Sequence, residues 1–115
     1  MSPVLSIVIP MFDEQDVLPT LVARLRPVLQ GLELPYEVLA IDDGSRDATP
    51  VLLQRYRRDW PELRVVRLRA NAGHQAAISA GLAMAAGDWV VTLMPICKIP
   101  RGHRPDGRRR LGAQR

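Results

Sequence analysis

A chain of 115 residues with 47% hydrophobic and 24% charged side chains carries enough apolar surface for one small folded domain, which excludes a disordered polymer. Its single cysteine excludes an internal disulfide and a thiolate metal cluster, and fits a reducing compartment such as the cytoplasm. The net charge of +4 is unevenly spread: residues 1–93 hold 9 Arg against 11 Asp and Glu, whereas residues 94–115 hold 7 Lys and Arg against Asp106 alone. The basicity therefore belongs to the last stretch, which also holds the only Lys (Lys98) and the only Cys (Cys97), and a boundary is expected after residue 93. No apolar run approaches the roughly 18 residues of a transmembrane segment. The N-terminus lacks the cationic start of a secretory signal.

Leu5-Ser6-Ile7-Val8-Ile9 is a short apolar run closed by Pro10, which predicts a buried strand. From Asp13 to Gln30, Val17, Leu18, Leu21, Val22, Leu25, Val28 and Leu29 recur at helical spacing. Asp13 is the candidate cap of this helix; Pro19 moves the start toward Asp16, and Pro27 is expected to kink or end it. Tyr36–Ile41 reads as a second strand, whose unbroken Val38-Leu39-Ala40-Ile41 suits a parallel strand covered on both faces. Asp42-Asp43-Gly44-Ser45 makes a turn, and Asp47 is the candidate cap of a helix to about Arg58, with Pro50 in its first turn. Leu63–Leu68 is a third strand, Asn71-Ala72-Gly73 a loop, and His74–Ala86 an alanine-rich helix closed by Gly87. Asp88–Leu93 opens a fourth strand. This alternation predicts an α/β fold with a parallel sheet and right-handed crossovers.

In such sheets ligands collect beyond the C-terminal ends of the strands. Asp13-Glu14, Asp42-Asp43 and Asn71–Gly73 all fall there. Taken singly, each has a plain structural reading. Asp42 and Asp43 fit an Asx turn with helix capping, Glu14 a charge favoured by a helix start, Asn71–Gly73 a turn, and His74 a helix-start residue without catalytic duty. The functional reading is that an acidic residue at a strand end accepts a hydrogen bond from a nucleobase N–H or a ribose hydroxyl. Other chemistries lack their signatures. The first strand is not followed by Gly-x-Gly-x-x-Gly, and neither Gly-Lys-Ser/Thr nor Gly-x-Ser-x-Gly occurs in the chain.

Leu5–Glu14, Ile41–Asp47, Asn71–Ala77 and Ala86–Asp88 together carry a resemblance. Over residues 4–93 the chain closely resembles family 2 glycosyltransferases of the GT-A fold, in the polyprenyl-phosphate sugar transferase branch similar to dolichol-phosphate mannosyltransferase. The resemblance implies the N-terminal part of a GT-A domain, Rossmann-like, with a mostly parallel sheet and flanking helices. It implies that Pro10, Phe12, Glu14 and Asp42 bind the nucleotide of an NDP-sugar, that Asp43 supports them, and that Asn71 and Gly73 line the nucleotide side. It also implies a polyprenyl-phosphate acceptor and a cytoplasmic protein peripheral at the inner membrane face. In the family an Asp-x-Asp motif after the fourth strand holds Mg²⁺ or Mn²⁺, which neutralises the charge gained by the departing nucleoside diphosphate.

Here the chain departs from the family. Where that branch reads Leu-Asp-Ala-Asp-Leu-Gln-Asp-Pro-Pro, residues 93–101 read Leu-Met-Pro-Ile-Cys-Lys-Ile-Pro-Arg. Met94 and Ile96 occupy the expected carboxylate positions, and neither offers a hard oxygen ligand. One lost nucleotide accounts for the change. The family segment written CTG GAT GCC GAT CTG CAA GAT CCC CCG G becomes, without the first G of GAT, CTG ATG CCG ATC TGC AAG ATC CCC CGG, which translates as Leu93–Arg101.

Residues 1–93 thus read as a truncated nucleotide-sugar-binding subdomain, and residues 94–115 as a basic, disordered, non-family tail. The chain is expected to lack turnover and to bind no metal. An unpartnered fourth strand is expected to leave it marginally stable and prone to aggregate. The tail has no aromatic residue beside Arg108-Arg109-Arg110, so a nucleic-acid partner is not expected. Two rival readings stay open: a non-catalytic nucleotide-binding module, and a receiver-like α/β domain suggested by the acidic pair after a strand. DNA sequencing of the locus tests the lost nucleotide: one base restored near codon 94 reopens a long frame beginning Asp-Ala-Asp. A downstream sequence without that continuation rejects the idea.

Overall fold

Short apolar runs rich in β-branched residues fold as strands, and the amphipathic stretches between them fold as helices. The computed structural model describes residues 2–69 and 71–95, so the tail expected to be disordered lies, from residue 96 onward, outside the described residues. In chain order the elements are β1 (Leu5–Met11), α1 (Leu18–Gly31), β2 (Tyr36–Asp42), α2 (Thr49–Asp59), β3 (Leu63–Arg67), α3 (His74–Met84) and β4 (Trp89–Thr92). The sheet order is β3-β2-β1-β4, and every neighbouring pair is parallel. The α/β fold class read from the sequence is the observed one.

The pleat sends alternate residues to two different cores. Ile7, Ile9, Met11, Val38 and Ala40 face α1 and α2, meeting Leu18, Leu29 and Leu53. Val8, Leu39 and Ile41 face the other way, against Ala77 of α3. β2 is buried along its whole length, as the unbroken apolar run demands. Trp60 closes the α1/α2 side; it is 1% exposed, its Nε1 donates to Tyr36 Oη at 2.7 Å, and the Arg26 guanidinium lies 5.3 Å from its ring centroid.

Three local expectations are corrected. Asp13 does not cap α1: the helix begins at Leu18 with Pro19 in its first turn, and the Asp13 side chain is taken by another loop. Pro27 does not end α1. It sits on the exposed side of the helix, where the carbonyl it leaves without an amide donor can face solvent, and the helix runs on to Gly31. Gly87 is not a helix cap, because α3 ends at Met84. Its role is close approach: a Cβ there would lie 2.7 Å from Ser6 Oγ and 2.8 Å from the Ser6 backbone nitrogen.

That close approach belongs to a buried polar junction at the N-terminal end of the sheet. Ser6 Oγ donates to Glu37 Oε2 at 2.6 Å and accepts the Gly87 N–H at 2.8 Å. The Ala86 N–H donates to Glu37 Oε2 at 2.7 Å, and Arg64 Nη1 reaches Oε1 at 2.8 Å. Glu37 thereby ties the α3–β4 connection to β1, β2 and β3. β4 itself is an edge of the described sheet with all four residues exposed, Trp89 at 70%. Such a neutral, apolar edge is a site for unwanted pairing.

Burial alone would raise the Glu37 pKa, but the hydrogen bonds from Ala86, Ser6 and Arg64 and the Arg64 charge outweigh it and hold the carboxyl below its ordinary value of 4.5. A pKa lower in the folded than in the unfolded chain stabilises the fold above the unfolded value, and that stability is lost as pH falls through the folded value. The melting temperature is therefore expected to drop as pH is lowered below about 4.5. Glu37→Gln should flatten that drop and cost about 1–3 kcal/mol at pH 7. Thermal melts of both proteins across pH 2–7 check it; an unchanged acid slope in the variant rejects the assignment.

Candidate functional site

β1 ends at Met11 and β2 at Asp42, side by side and parallel, so the loops that follow them leave the same end of the sheet. The two loops are laced together. The Asp13 N–H donates to Ser45 Oγ at 2.8 Å, the Glu14 N–H to Thr49 Oγ1 at 2.8 Å, and the Gln15 N–H to Asp47 Oδ2 at 3.2 Å. In return, Asp13 Oδ1 accepts the Arg46 N–H at 2.8 Å and Gln15 Oε1 accepts the Ala48 N–H at 2.8 Å. Asp13 adopts a left-handed φ of 53°, a conformation that Asp tolerates better than most residues. Asp47 is not the N-cap of α2, which is Ala48 and makes no side-chain cap bond; from two residues before the helix, Asp47 Oδ1 accepts the Thr49 N–H at 2.8 Å. Burial works against ionised Asp47, yet its hydrogen bonds from Thr49 and Gln15 hold its pKa below the ordinary range.

Across from this lacing, α3 is preceded by Gly73, whose φ of +99° suits glycine alone. Its approach is set by Asp43: Oδ1 accepts the Ala72 N–H at 2.8 Å and Oδ2 the Gly73 N–H at 3.0 Å. Between the loops and α3 lies a cavity of about 240 Å³. Pro10, Met11, Phe12 and Glu14 line it from β1 and its loop, Asp43 from the end of β2, and Asn71, Gly73, His74 and Ala77 from the start of α3. Each carboxylate oxygen has about two acceptor sites, so Asp43 retains capacity after serving the loop amides. Two carboxylates and one amide, with no Lys or Arg among the lining residues, favour a neutral ligand end that donates hydrogen bonds.

Six of the seven residues singled out from sequence are brought together here: Pro10, Phe12, Glu14, Asp43, Asn71 and Gly73. Asp42 is not. It is 0% exposed, its Oδ1 accepts the Ser45 N–H at 2.9 Å, and its Oδ2 faces Arg67 Nη1 at 3.6 Å. The strand alternation is the reason. Asp42 points into the loop and Asp43, one residue on, into the cavity. Sequence reasoning did not single out Met11 or Ala77, although both lie within the stretches that carry the resemblance, and it read His74 as a helix-start residue without catalytic duty. It also passed over the lacing residues Gln15, Ser45 and Thr49. Their only signal was the run of short polar side chains in 42–49, which speaks of turns and not of partners.

The comparisons with known proteins converge on one family. Residues 6–93 match the family model described as glycosyl transferase family 2. The chain belongs to glycosyl transferase family 2. Within this family it is 43% identical over 90 residues to an undecaprenyl-phosphate 4-deoxy-4-formamido-L-arabinose transferase of Pseudomonas fluorescens, covering 76% of this chain and 26% of that protein. It is 40% identical over 89 residues to an uncharacterised glycosyltransferase of Synechocystis, covering 77% of this chain and 28% of that one. The chain thus spans about a quarter of the length of the curated relatives it matches. Among solved structures, the mannosyltransferase PcManGT of Pyrobaculum calidifontis, in complex with GDP-Man and Mn²⁺, superposes with a TM-score of 0.69 at 22% identity, over 83% of this chain and 28% of that one. TarS of S. aureus in complex with UDP gives 0.63 at 24% identity, over 79% and 27%. The GT-A layout expected from the sequence is the fold these neighbours share.

A divalent metal is implied by the family, and the residues present do not fit it. Met94, at the cavity end of β4, is 45% exposed and offers a soft thioether sulfur where Mg²⁺ or Mn²⁺ calls for hard oxygen. Ile96, the other expected position, lies outside the described residues. Among the described residues no group of three or more His, Cys, Asp or Glu could hold an ion. Likewise, no helix among them is long and apolar enough to cross a membrane.

Asp43→Ala removes the acceptor of the Ala72 N–H and leaves the Gly73 N–H with Asn71 Oδ1 at 3.2 Å. It is expected to cost about 1–3 kcal/mol and to speed amide exchange at 72–74 while β2 stays protected. Urea unfolding with NMR-detected exchange checks both; equal acceleration across β2 rejects a local role.

Proposed function

We propose that this chain carries the nucleotide-binding half of a sugar-transfer domain. It would bind the nucleoside end of an NDP-sugar in the cavity below Glu14, Asp43 and Asn71, and would not complete transfer by itself. One observation carries the reading: a cavity at the C-terminal ends of parallel strands, lined by two carboxylates and an amide, in a chain with Met94 in place of a carboxylate just past β4. Asp43 takes the role that the sequence suggested for Asp42. Its carboxylate, oriented by the Ala72 and Gly73 amides, accepts the imide N–H of a base or a ribose hydroxyl, and Glu14 and Asn71 supply further polar contacts. Pro10, Phe12 and Gly73 shape the walls.

The name of the undecaprenyl-phosphate transferase relative supports a polyprenyl-phosphate acceptor for the activity of a longer protein. The GDP-Man and UDP of the solved neighbours support a nucleotide donor. The loss of one nucleotide before codon 94 is our account of why Met94 and Ile96 stand where acidic ligands belong.

Titration of the purified chain with UDP, GDP and their sugar conjugates, with and without Mn²⁺, tests the reading. Binding is expected to be unchanged by Mn²⁺ and weakened about tenfold or more by Asp43→Ala, roughly 1.4 kcal/mol or above. No sugar transfer to a polyprenyl phosphate is expected. Divalent-ion-dependent transfer by the chain would overturn the inactive half of the proposal, and absence of nucleotide binding the other half.

A further inference from the structure

We propose that Arg67, at the end of β3, is a positioning residue for the cavity and acts through Ser45; the proposal rests on the nucleotide reading above. Ser45 is 2% exposed, and each of its polar atoms is tied to a different element. Its N–H donates to Asp42 Oδ1 at 2.9 Å, its Oγ accepts the Asp13 N–H at 2.8 Å, and its carbonyl accepts from Arg67 Nη2 at 3.2 Å. The second arm of the same guanidinium, Nη1, lies 3.6 Å from Asp42 Oδ2, a buried oxygen without a hydrogen-bond donor of its own. β3 pairs with β2 so that Arg67 stands opposite Asp42, which sets the fork over both targets at once.

The path to the cavity is short. Asp42 precedes Asp43 in the chain, and Asp13 precedes Glu14, so Ser45 is bonded to the residue before each lining carboxylate and ties the two loop ends together. The Arg67 side chain is 54% exposed but that of Asp42 is fully buried, so the guanidinium also offsets the cost of a carboxylate taken out of water, and its loss leaves that carboxylate held by the Ser45 N–H. The geometric effect of Arg67 is to set where the lip of the cavity stands. Lysine can reach the Ser45 carbonyl or the Asp42 carboxylate, but its point charge cannot bridge both as a planar fork does.

The test compares the full chain with Arg67→Ala, Arg67→Lys, Ser45→Ala and the Arg67→Ala/Ser45→Ala double variant. It uses NMR-detected amide exchange and titration with UDP and GDP. Arg67→Ala is expected to speed exchange of the Asp13 and Ser45 amides about tenfold, leave Ile9 and Leu39 unchanged, and weaken nucleotide binding roughly two- to thirtyfold. Arg67→Lys should recover part of each effect. Once Ser45→Ala has removed the Oγ acceptor, adding Arg67→Ala should change the Asp13 amide little further. Unchanged Asp13 and Ser45 exchange in Arg67→Ala overturns the proposal, as does uniform acceleration through β1 and β2, which marks general destabilisation. Unaltered nucleotide affinity alongside faster local exchange also overturns it. A wild-type chain that binds neither nucleotide sinks the nucleotide reading instead, and the exchange data then still decide whether Arg67 holds the lip.

Discussion

Where a parallel strand ends in the middle of a sheet, the backbone amides that follow it have lost their ladder partners before any helix has begun. An unserved buried amide costs as much as a lost hydrogen bond, so the chain must find acceptors for it. Here the part-buried amides of Asp13 and Glu14 find them in Ser45 and Thr49, side chains of the neighbouring loop and helix start, and the exposed Gln15 amide adds a bond to Asp47. That obligation holds the two loops together, keeps Asp13 in its left-handed conformation and gives the cavity a fixed wall. At about 0.5–1.5 kcal/mol net for each bond, the set matters less as stability than as geometry, because it leaves the loops one arrangement.

The fold was largely legible because its signals are periodic. Unbroken apolar runs named the buried strands, and helical spacing named α1. What failed to show was whatever tertiary contacts decide. Asp13 looked like a cap by its position and type, but the facing loop claimed its side chain. Pro27 looked like a helix end because its effect depends on which side of the helix it occupies. Gly87 looked like a terminator, although its lack of a side chain serves the packing of β4 against Ser6.

The acidic pair after β2 shows the limit most clearly. From sequence the two residues are equivalent candidates, and the family resemblance favoured Asp42. In the fold, neighbouring strand residues point to opposite sides, so one carboxylate is sealed beneath Arg67 and the other meets the cavity. The site is thus a product of pleat and register as much as of residue type. The missing carboxylate after β4 was visible from residue identities alone, since no packing can turn a thioether into a hard oxygen donor.

The junction at the opposite end of the sheet has a bearing on how the chain assembles. Ser6 meets Glu37 across 31 residues, and meets Gly87 across 81. Loop-closure entropy grows only with the logarithm of length, so the longer reach costs under about 1 kcal/mol more than the shorter. Returning the last described strand to the flank of the first is therefore cheap in chain entropy. If β4 docks late, the reason is its thin apolar contact with the rest of the sheet, not the length of chain in between.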